Sequence, residues 1–252
     1  FGGSVSALRL AEKGYRVAVL EQGRDLTSAD LQRAGSSVRH LLWAPALGMR
    51  GPLAQKVFAN VGVVHGVGVG GGSLVYAAVL LEPKASFYQA PAWRDLHSDW
   101  QRELAPHYQR ARQMLGASVN PYVGLQDDWL QQTAAQLGRA DSYGPVTQGI
   151  YFGAPDVTVD PFFAGKGPLR QGCSRCGNCI SGCAQGAKNS LDKNYLHFAR
   201  QLGVQVISEA RVSHLSRKAE NYQVHLQRRG TGAVVLRAPQ VILAAGVLGT
   251  LE

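Results

Sequence analysis

The feature that most restricts the fold of this chain is a run of glycines between positions 66 and 72. Five of those seven positions are glycine, and Ser73 follows them. Glycine is needed where the backbone takes a positive φ, or where another group approaches so closely that a Cβ would clash. The run therefore indicates either a tight turn in a buried corner or backbone that lies against a flat or phosphorylated ligand. The 30 glycines of the chain cluster rather than repeat, which excludes collagen and flexible linkers.

A second glycine motif stands at the start of the chain. Gly2 and Gly3 open a helical pattern predicted over 3–13, and the apolar strand predicted over 16–21 ends in Glu21. This order forms the downstream part of a Rossmann fingerprint, in which a helix N-terminus faces a pyrophosphate and the acid binds a ribose. The alternative is a glycine-started helix beside an unrelated strand. The first strand of the fingerprint would precede the chain, which we therefore expect to be truncated.

The remaining patterns predict an α/β fold. Helices are predicted at 98–115, 127–137 and 190–201, with a loop at 151–172. Alternating apolar residues predict a small antiparallel β-meander with strands at 204–208, 212–215, 222–227 and 233–236. Five of the six residues at 240–245 (QVILAA) are apolar, as in the buried strands of a parallel sheet. We expect a Rossmann-like parallel sheet with an inserted meander and an irregular cap region, truncated at both ends.

Several motifs, in this order, resemble the glucose–methanol–choline (GMC) oxidoreductases, and among them the cholesterol-oxidase-like branch. They are GVGVGGGSLVYA at 66–77, followed by Glu82 and Pro83, NSLDKNYL at 189–196, and AAGVLGT at 244–250. The resemblance spans nearly the whole chain. Cholesterol oxidases tend to have Asn and Gly where this chain has Tyr76 and Ala77. A backbone contact to a ligand would survive that difference, whereas a side-chain contact would not.

The resemblance implies an N-terminal FAD-binding fragment of an enzyme that oxidises the CH–OH group of an alcohol, such as a sterol, to a carbonyl. It implies that Gly3 begins the pyrophosphate helix, that Glu21 binds the adenosine ribose and that Val212 faces the adenine. The implied flavin-binding residues are Gly2, Gly3, Glu21, Gly66, Gly72, Tyr76, Ala77, Val212, Ala245 and Gly246. The catalytic histidine of the family lies in its C-terminal part. No catalytic residue is therefore assigned here, and we expect the fragment alone to be inactive.

The domain organisation follows from the same resemblance. We expect a first FAD-binding part over 1–84, a cap or substrate-side region with a cysteine-rich loop over 85–188, and a second FAD-binding part over 189–252. Lys188 and Lys193 flank the helix predicted after the cysteines, and we expect both to face solvent.

All four cysteines lie within eleven residues, which is unlike the spread of cysteines in a disulfide scaffold. The run Cys173, Cys176, Cys179 and Cys183 has the spacing C-x2-C-x2-C-x3-C of bacterial ferredoxins, without the proline that usually follows. Three interpretations remain open: an iron–sulfur cluster, a structural zinc or pair of disulfides, and unliganded thiols. This region resembles a cysteine-rich segment of some GMC sugar dehydrogenases, in which a cysteine-bound cluster relays electrons from the flavin. That resemblance would imply a dehydrogenase rather than an oxygen-using oxidase.

Charge and hydropathy restrict the partners. The net charge is +9, but the basic residues form no continuous run, so we expect no nucleic-acid partner. No apolar stretch is long enough for a membrane span. The expected partners are a small-molecule alcohol and an electron acceptor, either oxygen or a redox protein or quinone. The compartment stays open, with the cytoplasm favoured. The alternatives to a flavoenzyme are an NAD(P)-linked Rossmann dehydrogenase and a non-enzymatic iron–sulfur or metal-binding redox module.

Overall fold

The computed structural model of the protein describes residues 1–251, as a mixture of helices and small sheets. The helices are α1 (Gly2–Glu12), α2 (Ser28–Ser36), α3 (Val38–Leu41), α4 (Ala85–Tyr88), α5 (Trp100–Met114), α6 (Leu125–Gln136), α7 (Tyr195–Gln201) and α8 (Gly246–Leu251). The strands are β1 (Ala18–Leu20), β2 (Trp43–Ala44), β3 (Met49–Arg50), β4 (Leu53–Val57), β5 (Gly62–Gly66), β6 (Ser118–Val119), β7 (Thr147–Gln148), β8 (Gln205–Ile207), β9 (Ala210–Lys218), β10 (Asn221–Arg228) and β11 (Gly232–Ala238).

A parallel pair of strands forms the Rossmann-like part of the fold. Strand β1 pairs with β8, in register from Ala18 opposite Gln205 to Leu20 opposite Ile207. Helices α1 and α7 pack beside this pair, and the core between them contains Ala7, Leu8, Leu191, Tyr195, Ala199 and Val204. The predicted parallel sheet is therefore present in part, as two strands. Strand β1 is only half-buried, rather than wholly buried as its apolar sequence predicted.

The antiparallel meander is confirmed for three of its four predicted strands. Strand β10 lies between β9 and β11, and the register shifts at a bulge between His225 and Leu226. The stretch 204–208, predicted as part of the meander, instead forms β8 in the parallel pair. An alternating apolar pattern predicts that a segment is extended, but the pattern does not identify the strand with which the segment pairs.

The meander is joined directly to the end of β1. The amide of Ala210 donates to the carbonyl of Glu21 at 2.9 Å, and the amide of Glu209 donates to the carbonyl of Gly23 at 2.8 Å. Strand β9 therefore starts beside the acid that ends β1. This junction fixes where the first residues of the meander lie relative to the predicted ribose-binding carboxylate.

The predicted strand at 240–245 was wrong. The segment pairs with no strand among residues 1–251, and Ile242 and Leu243 are 56% and 60% exposed. A strand exists only through hydrogen bonds to a neighbour, and an apolar sequence cannot supply that neighbour. Ala244 of this segment lies beside the start of α1, where a Cβ built on Gly3 would be 3.1 Å from the Cβ of Ala244.

The three predicted helices after residue 98 are present, but the last one is interrupted. Helices α5 and α6 match the predictions, and the half-buried face of α5 carries the predicted stripe of Trp100, Leu104, Tyr108 and Ala111. A 3-10 turn occupies Leu191–Lys193, and α7 begins only after Asn194, whose φ of −137° and ψ of −93° break the helix. The Asn194 side chain then caps α7. None of the described helices is both long and apolar enough to cross a membrane.

Candidate functional site

The start of α1 lies against the glycine run. Helix α1 begins at Gly2 without a side-chain cap, so the first backbone N–H groups of the helix have no intrahelical partner. The ring of Phe1 meets the ring of Tyr76 edge-on, with 5.9 Å between the centroids. A Cβ built on Gly72 would lie 3.5 Å from the Phe1 ring. Two glycine motifs that are seventy residues apart in the sequence are thus neighbours in space.

Glu21 links the end of β1 to the same glycine run. Its Oε1 atom accepts hydrogen bonds from the amides of Gly23 at 2.7 Å and Gly68 at 3.2 Å. Burial raises the pKa of the Glu21 carboxyl, and the two amides oppose that shift. A Cβ built on Gly23 would lie 2.5 Å from the amide nitrogen of Gly68. Only glycine therefore allows the two backbones to approach closely enough for both amides to reach one carboxylate oxygen.

Most of the glycine run is explained by its own tight packing. A Cβ on Gly66 would clash with the carbonyl of Gly71, and Gly68 and Gly70 have φ values of 140° and 114°. A 3-10 turn then covers Gly71–Leu74. In contrast, a Cβ built on Gly71 or on Gly2 would meet nothing within 4 Å. Gly71 has a φ of 55°, so the turn itself also favours glycine there, whereas Gly2 lies outside the run and has an open backbone face.

The other predicted contacts of the dinucleotide lie along the same region. Val212 is two residues beyond the junction between β9 and Glu21, and it is 40% exposed. Ala245 and Gly246 are exposed and follow Ala244, which contacts the start of α1. Contacts therefore connect every segment that was predicted to bind the dinucleotide. The individual roles of these residues stay predictions.

The segment after the 3-10 turn is held in an unusual backbone conformation. The Tyr76 hydroxyl donates to the carbonyl of Asn189 at 3.1 Å, and burial raises the pKa of Tyr76. Ala77 is exposed. Ala78 is fully buried and has a φ of 65°, which is rare for a residue other than glycine, and its carbonyl accepts from the amide of Gly149 at 2.7 Å.

Comparison with known proteins identifies the family. The sequence profile of the GMC oxidoreductases matches residues 169–251. Cholesterol oxidases of Mycobacterium tuberculosis, strains CDC 1551 / Oshkosh and ATCC 25618 / H37Rv, are 42% identical over 99% of this chain, which covers 45% of each. A cholesterol oxidase of Acinetobacter baumannii is 37% identical over 100% of the chain, which covers 48% of that protein.

The chain belongs to the GMC oxidoreductase family. The resemblance seen in the glycine run and in the two later motifs is therefore confirmed, and the similarity to cholesterol oxidases extends along the whole chain. The chain spans about half the length of the curated relatives that it matches.

One buried residue beside the glycine run was missed in the sequence. Lys188 was expected to face solvent, but it is 2% exposed, and that expectation was wrong. Its Nζ atom donates to the carbonyls of Cys179 at 2.6 Å, Leu74 at 2.7 Å and Tyr76 at 3.1 Å. Burial lowers the pKa of Lys188 to about 8. No periodicity marks a buried lysine in an irregular segment, because such a segment has no polar and apolar faces to compare.

None of the four cysteines forms a disulfide, and the structure gives no support to the predicted metal site. Cys176 is exposed, whereas Cys173, Cys179 and Cys183 pack around the apolar cluster of Ala78, Ile150 and Ala187. Between residues 1 and 251 no group of three or more His, Cys, Asp or Glu side chains is arranged to hold a metal ion. An iron–sulfur cluster, which needs several sulfur atoms to converge, was one of the three interpretations of the spacing. In the structure, three of the thiols pack as small apolar groups against the cluster instead.

Proposed function

We propose that this chain is the FAD-binding part of an oxidoreductase that oxidises the CH–OH group of an alcohol to a carbonyl. The observation that carries the proposal is the meeting of three separated segments in one place. Glu21 accepts a hydrogen bond from Gly68, and Phe1 at the start of α1 lies against Gly72. One extended dinucleotide could contact all three. Membership of the GMC family supports flavin as that dinucleotide and disfavours the NAD(P)-linked alternative.

The residues at the adenosine side fit an ADP group. The uncapped N-terminus of α1 offers backbone N–H groups and a positive dipole end to the pyrophosphate, with no Cβ at Gly2 or Gly3 to obstruct it. Glu21 holds Oε1 on two amides, which leaves Oε2 to accept from ribose hydroxyls. Val212 would contact the adenine. Ala245 and Gly246 would close this side of the site.

The residues on the flavin side would contact the cofactor mainly through backbone atoms. Gly66 allows the run to fold back on Gly71, and Gly72 carries no side chain on the face where the isoalloxazine ring would lie. Tyr76 uses its hydroxyl on Asn189, so we expect Tyr76 and Ala77 to contact the flavin through their peptide groups. FAD, when bound, supplies the acceptor for the hydride of the alcohol. The residues of this chain bind and orient it.

A hydrophobic alcohol of the sterol class is the proposed substrate, because cholesterol oxidases are the relatives with 37–42% identity. Oxygen or a redox protein or quinone would then reoxidise the flavin. Residues 1–84 and 189–252 would bind the cofactor, and residues 85–188 would form the substrate side.

The first experiment is to purify the intact protein from its natural gene and record its visible absorption spectrum. We expect an oxidised-flavin spectrum, with FAD released on denaturation. A colourless protein that binds neither added FAD nor FMN would refute the proposal, and saturable binding of NAD or NADP in its place would favour the pyridine-nucleotide alternative.

The second experiment tests the reaction. Under anaerobic conditions, we expect a sterol to bleach the flavin, whereas glucose and short alcohols at the same concentration leave it oxidised. Bleaching by glucose but not by a sterol would reject the substrate class while leaving alcohol oxidation intact. A flavin that no alcohol reduces would reject the reaction itself.

A further inference from the structure

Lys188 is buried in a place where every one of its donors has a partner. Its ammonium group has three N–H donors, and it bonds to three backbone carbonyls, those of Leu74, Tyr76 and Cys179. Two of these carbonyls belong to the segment that, under the proposed function, passes beside the flavin. The third belongs to the cysteine-rich loop. A charged group is not buried at 2% exposure without such compensation.

The bond to Tyr76 has a consequence for the next amide. The described chain contains no cis peptide bond, and in a trans peptide the C=O and the following N–H point in opposite directions. Because the Tyr76 carbonyl points at Lys188, the N–H of Ala77 points away from Lys188. No acceptor for that N–H occurs within residues 1–251, and Ala77 is exposed. An unused backbone donor is thus presented on the open side of the segment.

The neighbouring bonds hold this orientation in place. Ala78 keeps a φ of 65° although it carries a Cβ, which costs about 1–2 kcal/mol relative to ordinary backbone and persists only when the surroundings enforce it. Three bonds supply that constraint: Lys188 to Tyr76, the Tyr76 hydroxyl to Asn189, and Gly149 to Ala78. These bonds hold the Tyr76 peptide from the side on which Lys188 lies.

We propose that Lys188 is a positioning residue for the flavin. By holding the carbonyls of Leu74 and Tyr76 on the inner side, it turns the Ala77 N–H toward the bound isoalloxazine and places a positive charge behind that peptide. Lys188 does not itself touch FAD or substrate. The proposal rests on the proposed function, because it requires that FAD binds along this segment.

The test compares three variants of the intact protein. Lys188→Met removes the ammonium with little change in length, Lys188→Arg restores a cation with several donors, and Lys193→Met is the matched control. Lys193 pairs with Asp192 at 2.7 Å, and its side chain makes no hydrogen bond to the flavin segment among the described residues. For Lys188→Met we expect FAD to dissociate with a Kd about tenfold higher, equal to about 1.4 kcal/mol, and the flavin potential to become more negative. Lys188→Arg should recover part of both changes, and Lys193→Met should change neither.

The outcomes separate the two proposals. If the wild-type protein does not bind FAD, the proposed function fails and the inference fails with it. If the wild type binds FAD and a folded Lys188→Met protein shows the same Kd and the same potential, only the positioning role is rejected.

A measurement on the wild-type protein keeps the inference testable if the Lys188 variants do not fold. Hydrogen exchange of the Ala77 amide should slow by about tenfold or more when FAD is added to the apoprotein. The reason is that the flavin would accept a hydrogen bond from that N–H. An Ala77 exchange rate that FAD leaves unchanged, while amides of α1 become protected, would overturn the positioning role.

Discussion

The carboxylate of Glu21 accepts a hydrogen bond from the backbone amide of Gly68, which lies 47 residues further along the chain. This bond joins the end of β1 to the glycine run. The same oxygen accepts from Gly23, so the side chain is held in one orientation before any ligand is present. A ligand that uses the other oxygen would therefore meet a preorganised acceptor, which reduces the entropy lost on binding.

The first prediction separates these two roles of Glu21. Glu21→Gln keeps an oxygen that can accept from Gly23 and Gly68 but removes the negative charge that, under the proposed function, binds the ribose of FAD. We expect stability close to that of the wild type and a Kd for FAD about tenfold higher, since bonds to charged groups contribute about 1.5–3 kcal/mol. Flavin fluorescence titration of the apoprotein and urea unfolding would measure the two effects.

Glu21→Ala is the companion variant. It leaves the buried amides of Gly23 and Gly68 without an acceptor, so we expect a loss of about 2 kcal/mol in the free energy of unfolding in addition to weaker FAD binding. Equal stability of the Ala and Gln variants would show that the carboxylate does not connect the two segments.

The second prediction concerns the close approach of Gly23 to the glycine run. In Gly23→Ala, the new Cβ would lie 2.5 Å from the amide nitrogen of Gly68, and backbone cannot move away as a side chain can. We expect a loss of about 2–3 kcal/mol in stability, which is typical of overpacking. Thermal unfolding of the apoprotein would measure it.

Gly62→Ala is the matched control for Gly23→Ala. A Cβ at Gly62 meets nothing within 4 Å, and the residue has no positive φ. We expect its melting temperature to stay within the error of the wild type. A Gly23→Ala protein as stable as this control would mean that the two backbones do not approach each other as described.

The sequence predicted the elements whose evidence is local. Helix α1, the acid after β1 and the three strands of the meander follow from apolar periodicity and turn residues, and all are present. The pairing of β8 with β1 was missed, because it depends on a strand 187 positions away in register rather than on the pattern of 204–208. The predicted strand at 240–245 lacked a neighbour. The burial of Lys188 depends on the carbonyl of Cys179, nine residues away, and on the carbonyls of Leu74 and Tyr76, more than a hundred residues away, which no local pattern reveals.

The third prediction tests the state of the thiols. Cys176 is exposed, whereas burial raises the pKa of the Cys179 thiol, and the nearby charge of Lys188 opposes that shift only in part. Because the thiolate is the nucleophile, we expect iodoacetamide to alkylate Cys176 first and Cys179 at least about tenfold more slowly. Peptide mass spectrometry over a time course would measure both rates. Protection of all four thiols in the native protein, lost on adding a chelator, would contradict the assignment as free thiols.

The last prediction follows from the buried charge of Lys188, whose pKa is lowered from 10.5 to about 8. Between these two pH values the unfolded protein holds the proton and the folded protein has released it. The unfolded state therefore binds more protons, so the free energy of unfolding rises with pH across that interval. The cost of burying the charge is fully present below pH about 8, and about 3 kcal/mol is regained by pH about 10.5, at about 1.4 kcal/mol per pKa unit.

The charges of Cys179, Cys183 and Asp192 also act on Lys188 and oppose the lowering of its pKa. The informative quantity is therefore the difference in unfolding free energy between the wild type and Lys188→Met at each pH. Because Met carries no proton, we expect this difference to shift in favour of the wild type as the pH rises from about 8 to about 10. Urea unfolding at several pH values would measure it. A difference that stays constant would mean that Lys188 keeps its proton throughout and that its burial does not lower its pKa.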